Sequence, residues 1–111
     1  MNYVAEILKN EKEKLLALKK SYEDMVVGMP KGSIQKKERK NNTYYYLAYR
    51  DGKSVKTEYI GDNEAEIIKI KEQLERRKQI KELISKLNSE LKIIDKTLGG
   101  AKWGYIMAVM L

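Results

Sequence analysis

The chain lacks the two side chains on which most metal sites and many active sites depend. Its 111 residues include no cysteine and no histidine. Without cysteine, a disulfide framework, a zinc–thiolate site and a thiol nucleophile are excluded. Without histidine, the commonest general base and the commonest metal ligand are missing. The acidic residues lie mostly at helix-surface spacings beside lysines, so we expect a protein that is not an enzyme and that has no metal site and no cofactor.

Long apolar segments are also scarce. The first residues, "MNYVAEILKNEKEK", carry acids and lysines where a secretion signal has an uninterrupted apolar run. The one strongly apolar stretch, "WGYIMAVML" at 103–111, is about half of the roughly 20 residues that a membrane-spanning helix needs. We therefore expect a soluble, cytoplasmic protein with no membrane partner.

Apolar residues at helical spacing predict two helices in one domain, 1–111. The first helix, 1–28, ends at "GMP", where Gly28 suits a C-terminal cap and Pro30 cannot continue the helix. The second, 62–98, begins at Asp62 or Asn63 as N-cap and ends at "GG". Its apolar stripe is Ile67, Ile70, Leu74, Ile80, Ile84, Leu87, Leu91, Ile94 and Leu98. The stripe of the first helix, with Glu11 as one imperfect position, is Val4, Leu8, Leu15, Leu18, Tyr22 and Met25.

The segment between the helices, 31–61, predicts a three-stranded antiparallel meander. Residues rich in tyrosine, threonine, valine and isoleucine are separated by "NN" (Asn41, Asn42) and "DG" (Asp51, Gly52), which tolerate the positive φ angles of tight hairpin turns. The predicted strands are about 33–40, 43–50 and 53–60. The predicted fold class is α+β, with an antiparallel, coiled-coil-like hairpin of two long helices flanking the meander and a short apolar tail at 99–111.

The positive charge is concentrated on the meander. The net charge of the chain is +7. Residues 31–60 hold eight basic and three acidic side chains, a net charge of +5, whereas 1–30 is neutral, with five of each, and 61–111 carries +2, from ten basic and eight acidic. A smaller basic cluster, Arg76, Arg77 and Lys78, is partly offset by neighbouring glutamates and is typical of a solvated helix face.

Alternation along the middle strand places Tyr45, Leu47 and Tyr49 on one face and Tyr44, Tyr46, Ala48 and Arg50 on the other. Because Leu47 favours the first face as the core, we expect the second to be exposed beside basic residues. Aromatic rings can stack on bases, and lysine and arginine neutralise phosphates. The same side chains could also only cover the sheet and protect its edges. The predicted nucleic-acid-binding residues are Lys36, Lys37, Arg39, Lys40, Tyr44, Tyr46, Arg50, Lys53 and Lys56.

The motif KGS…YYYL.YR.G…K..YIG in this segment resembles that of a set of short uncharacterised bacterial, archaeal and phage proteins. It is carried by Lys31, Gly32, Ser33, Tyr44 to Leu47, Tyr49, Arg50, Gly52, Lys56, Tyr59, Ile60 and Gly61. The meander also resembles the arm-type DNA-binding domain of tyrosine integrases, a basic three-stranded sheet that enters the major groove. That resemblance implies DNA contacts by Tyr46, Arg50 and Lys56. The long flanking helices depart from the integrase pattern, and the integrase catalytic residues cannot be assembled here.

Three functions compete on this evidence. The first is a small nucleic-acid-binding accessory protein of a phage or mobile element, with DNA favoured over RNA, which contacts phosphates through the meander. The second is a phage-encoded protein inhibitor of the anti-CRISPR type, which binds a host nuclease or its nucleic-acid complex. The third is a structural coiled-coil interaction module. A homodimer formed through helix 62–98 and the C-terminal tail is a further option.

Overall fold

Two helices and three strands form the part of the chain that the computed structural model describes, residues 3–99. The fold class is α+β, as predicted. The elements are α1 (Tyr3–Val27), β1 (Ser33–Arg39), β2 (Asn42–Asp51), β3 (Ser54–Gly61) and α2 (Glu64–Leu98). The predicted apolar tail lies, apart from Gly99, outside the described residues.

The helix boundaries follow from local hydrogen bonding. The Asn63 side-chain Oδ1 accepts hydrogen bonds from the backbone N–H groups of Ala65, at 3.0 Å, and Glu66, at 3.3 Å. This satisfies two of the donors that a helix N-terminus leaves free, so Asn63 is the N-cap of α2. At the other boundary α1 ends at Val27, and the Met29 N–H donates to the Val26 carbonyl at 3.0 Å. Gly28 ends the helix without the positive φ that a glycine cap usually has.

The strands form one antiparallel sheet in the order β1-β2-β3. Both connections are two-residue turns, and each lies one residue away from the predicted position. Lys40 and Asn41 have positive φ, 50° and 68°, so the first turn is Lys40–Asn41 and Asn42 already pairs with Arg39 in the sheet. This is the φ pattern of a type I′ turn. Asp51 pairs with Ser54, so the second turn is Gly52–Lys53, with positive φ at Gly52.

The described residues divide into two compact units. The helical unit is built from the chain up to Met25 and from Lys81 onward. Its core is a cluster of Leu15 from α1 with Leu87, Leu91 and Ile94 from α2. The partly buried Leu8, Tyr22 and Leu98 pack against this cluster. Only part of the predicted α1 stripe is therefore covered, since Leu18 and Met25 are exposed.

The sheet unit, Val26–Ile80, contains the three strands and the first part of α2. Its buried apolar residues are Leu47, Ala48, Ile67 and Ile80. Leu47 was predicted to lie in the core, whereas the prediction that Ala48 is exposed was wrong. The Ala48 methyl group is short and lies between its paired neighbours Ser33 and Thr57 on the same face. Within residues 3–99, no helix is both long enough and apolar enough to span a membrane.

Candidate nucleic-acid interface

The register of the strands divides the side chains of the sheet into two faces. Residues directly paired across antiparallel strands point to the same side, and successive residues of a strand point to opposite sides. The cationic face consists of Ser33, Gln35, Lys37, Arg39, Asn42, Tyr44, Tyr46, Ala48, Arg50, Val55, Thr57 and Tyr59. The mixed face consists of Ile34, Lys36, Glu38, Thr43, Tyr45, Leu47, Tyr49, Asp51, Ser54, Lys56 and Glu58.

All three acidic residues of the strands lie on the mixed face, and each has a partner there. Glu38 pairs with Lys36 at 3.3 Å, and Asp51 pairs with Lys56 at 2.7 Å. Glu58 accepts a hydrogen bond from the Tyr49 hydroxyl. Exposed ion pairs of this kind contribute little stability, about 0–1 kcal/mol each. Their consequence here is electrostatic, because they neutralise the lysines of the mixed face.

The Tyr49–Glu58 contact also changes the titration of Tyr49. The hydrogen bond to the Glu58 carboxylate raises the pKa of Tyr49 above its ordinary value, and partial burial and the negative charge of Glu58 act in the same direction. Lys56 opposes this shift by lowering the pKa of the same hydroxyl. Tyr49 is therefore held in its neutral form, and it serves as a hydrogen-bond donor on the mixed face.

The cationic face carries Lys37, Arg39 and Arg50 and no acidic side chain. Within residues 3–99, none of these three basic side chains forms an ion pair. Arg39 is paired with Asn42 at one end of β2, and Arg50 lies near its other end. Eight residues of strand separate these positions, a distance of about 27 Å.

Tyrosine rings occupy the middle of the cationic face. The Tyr59 ring lies 5.4 Å from the Tyr46 ring, centroid to centroid, in an edge-to-face arrangement, and 6.2 Å from the Tyr44 ring. The Lys37 ammonium lies 4.8 Å from the centroid of the Tyr46 ring, within the range of a cation–π contact. These contacts half-bury Tyr44 and Tyr46 and fix their orientation.

The cationic face is open to solvent along β3. Val55 keeps 65% of its surface exposed and Tyr59 keeps 54%. Lys37, Arg39 and Arg50 are all exposed as well. Of the four β2 residues that were predicted to be exposed, Arg50 is exposed, Tyr44 and Tyr46 are half-buried, and Ala48 is buried.

The nine predicted binding residues do not share one surface. Five lie on the cationic face: Lys37, Arg39, Tyr44, Tyr46 and Arg50. Lys36 and Lys56 lie on the mixed face in ion pairs, and Lys40 and Lys53 lie in turns at opposite ends of the sheet. Of the contacts implied by the integrase resemblance, Tyr46 and Arg50 share a face, whereas Lys56 does not.

Sequence reasoning missed Tyr59 as a member of this surface. Its pairing with Tyr46 places it on the cationic face, against two other rings. Alternation along β3 from the predicted turn could have found it, because the β2–β3 pairing is regular from the turn to Tyr59 and shifts only beyond it, between Tyr46 and Tyr45. In the part of the chain that is described, no three acidic side chains group closely enough to hold a metal ion.

The fold and this surface define a class of protein: an α+β chain that presents a cationic, tyrosine-bearing face of a small antiparallel sheet. The chain belongs to the family named Domain of unknown function (DUF6788), whose model matches residues 5–69, from α1 through the whole sheet and into α2. No curated protein and no solved structure matched the chain.

Proposed function

We propose that this protein binds nucleic acid, duplex DNA in preference to RNA, through the cationic face of its sheet. The observation that carries the proposal is the segregation of charge. The basic side chains of Lys37, Arg39 and Arg50 share a face with no acidic side chain, while the three acidic side chains of the strands lie on the opposite face. A sheet that used lysine and arginine only for solubility would have no reason to separate the two signs by face.

The dimensions of the face suit a groove of duplex DNA. Adjacent strands lie about 4.8 Å apart, so the outer strands are separated by about 10 Å, and the major groove of B-DNA is about 12 Å wide. Basic side chains near both ends of β2 can contact phosphates, while the central rings of Tyr44, Tyr46 and Tyr59 contact the edges of nucleobases or sugars. Such a protein acts by binding rather than by catalysis.

The proposal assigns separate roles to the two units. We propose that the helical unit is an antiparallel, coiled-coil-like hairpin that supports folding. Leu8, Leu15 and Tyr22 recur at seven-residue steps and pack with residues of α2, and Lys12 pairs with Asp95 across the helices at 2.6 Å. The resemblance of the meander to short phage proteins extends the proposal to an accessory role in a phage or mobile element, in the cytoplasm where nucleic acid is accessible.

A salt-dependent binding assay tests the proposal. Fluorescence anisotropy would be measured with a labelled DNA duplex, its single strand and an RNA duplex, between about 50 and 200 mM salt. We expect the affinity for the DNA duplex to fall steeply with salt, because each phosphate contact releases counterions.

Two triple variants with the same net charge locate the interface. One carries Lys37→Gln, Arg39→Gln and Arg50→Gln on the cationic face, and its control carries Lys9→Gln, Lys20→Gln and Lys86→Gln on exposed helix surfaces. We expect the first to lose at least about tenfold in affinity and to reduce the salt slope by up to about 3, while the control stays near the parent. Equal binding by the two variants, with both folded by circular dichroism, would remove the cationic face from the proposal.

A further inference from the structure

A cleft in the sheet unit lies on the side of the sheet away from the cationic face. Its volume is about 510 Å³, within the range of about 300–1,000 Å³ that is common for small-ligand sites. It lies between the segment that follows α1, the mixed face of the sheet and α2. Nucleic-acid binding by the cationic face does not use it.

Much of the lining of the cleft is apolar. Met29 and Pro30, which are half-buried, and Leu47 of β2, which is buried, all line it. Gly32 holds the segment after α1 close to β2: a Cβ atom at this position would lie 2.0 Å from the Ala48 carbonyl oxygen. This part of the lining is therefore fixed by a backbone approach that only glycine permits.

The polar lining of the cleft has an excess of positive charge. Lys31 and Arg77 contribute two cations, and Glu58 contributes one carboxylate. Glu58 already accepts the Tyr49 hydroxyl hydrogen bond, and the Lys31 ammonium lies 6.0 Å from the centroid of the Tyr49 ring. Arg77 is half-buried, and within residues 3–99 it forms no ion pair. A partly desolvated guanidinium favours an anionic partner.

We propose that this cleft binds a small organic anion that has an apolar, preferably aromatic, body and one negatively charged group. The body would pack between Pro30 and Leu47, and the charged group would lie near Arg77 and Lys31. A single negative charge balances the net charge of +1 on the lining, made of two cations and one carboxylate. A ligand with several charges, such as a nucleoside triphosphate, fits these walls poorly because its charge exceeds that of the lining.

The site can be tested with 8-anilinonaphthalene-1-sulfonate, whose aromatic body carries one sulfonate and whose fluorescence rises in an apolar environment. Arg77→Gln removes one of the two positive charges that line the cleft, and Arg76→Gln removes the neighbouring exposed charge, which does not line it. We expect Arg77→Gln to weaken binding about tenfold, the loss of one charge-assisted hydrogen bond, and Arg76→Gln to change it less than about twofold. Arg77→Lys should recover part of the affinity.

A neutral probe separates charge recognition from general hydrophobic binding. N-phenyl-1-naphthylamine has the same body without the sulfonate, and we expect it to bind more weakly and to be insensitive to Arg77→Gln. Unfolding midpoints would confirm that each variant is folded, and Lys31→Gln, at an exposed position, replaces Arg77→Gln if the latter unfolds. Equal sulfonate affinity in Arg76→Gln and Arg77→Gln, or equal binding of the two probes to the parent, would overturn the proposal.

Discussion

The hydroxyl group of Tyr49 donates a 3.1 Å hydrogen bond to a carboxylate oxygen of Glu58 on the neighbouring strand. This pair joins β2 to β3 on the mixed face and lines the cleft of the sheet unit. It also makes part of the stability of the sheet depend on pH, because the donor must remain protonated.

The first prediction concerns this pH dependence. The pKa of Tyr49 is raised in the folded protein, so its contribution to stability is fully present below about pH 10, the pKa of a free tyrosine, and is lost as pH rises through the folded value. We expect the difference in unfolding midpoint between the parent and Tyr49→Phe to be constant from neutral pH to about pH 9 and to shrink above pH 10. Chemical unfolding at a series of pH values measures it. A difference that grew at alkaline pH would contradict the assigned hydrogen bond.

Gly32 is predicted to be the least replaceable glycine of the described chain. Its φ of +109° is rarely adopted by residues with a side chain, and an added Cβ would collide with the Ala48 backbone. We expect Gly32→Ala to lower the free energy of unfolding by at least about 2 kcal/mol. Gly28→Ala is the matched control, since a Cβ atom added at Gly28 would meet nothing within 4 Å. Urea unfolding of the two variants distinguishes them, and similar midpoints would refute the close approach.

The adjacent leucines of α1 should differ sharply. Leu15 is buried in the cluster with Leu87, Leu91 and Ile94, whereas Leu16 is 45% exposed. We expect Leu15→Ala to cost about 2–4 kcal/mol and Leu16→Ala less than about 1 kcal/mol. Both substitutions introduce the same helix-favouring residue, so helix propensity cancels in the comparison. If thermal unfolding shows equal losses, the cluster is not the core of the helical unit.

Replacing Lys40 by asparagine should increase stability while it removes one positive charge. The positive φ of 50° at Lys40 is unfavourable for a long side chain, and asparagine tolerates this conformation better. We expect Lys40→Asn to raise the free energy of unfolding by roughly 0.5 kcal/mol. At the same time, it should weaken duplex binding if the turn contacts phosphate. A destabilised Lys40→Asn variant would argue against the left-handed turn.

Local signals in the sequence were sufficient for the helices. Asn63 caps α2 through two backbone hydrogen bonds, as a residue of this type before Glu64 and Glu66 predicts. The stripe from Ile67 to Leu98 is buried or half-buried throughout, because one period of 3.6 residues governs a long helix. Both features depend on residues within a turn or two of each other, so no knowledge of distant contacts was needed.

The sheet could be predicted only in part, because its details depend on pairing between strands. "NN" correctly indicated a hairpin, but the turn is Lys40–Asn41, since the pairing of Arg39 with Asn42 closes the sheet one residue earlier. The same pairing decides which lysines share a face. Lys36 and Lys37 are neighbours in sequence, yet one lies in an ion pair with Glu38 and the other against the Tyr46 ring. Net charge by segment cannot make that distinction.

The alternation of the two faces along the strands limits how the length of this segment can vary. Inside a strand, a one-residue insertion or deletion would reverse the sides of all the residues beyond it, and so mix carboxylates among the arginines without altering composition. Substitutions that keep the sign of each charge would be far milder. Among related chains, the spacing between Lys37 and Arg50 should therefore vary less than the identity of the residues between them, with length changes confined to the ends of the segment.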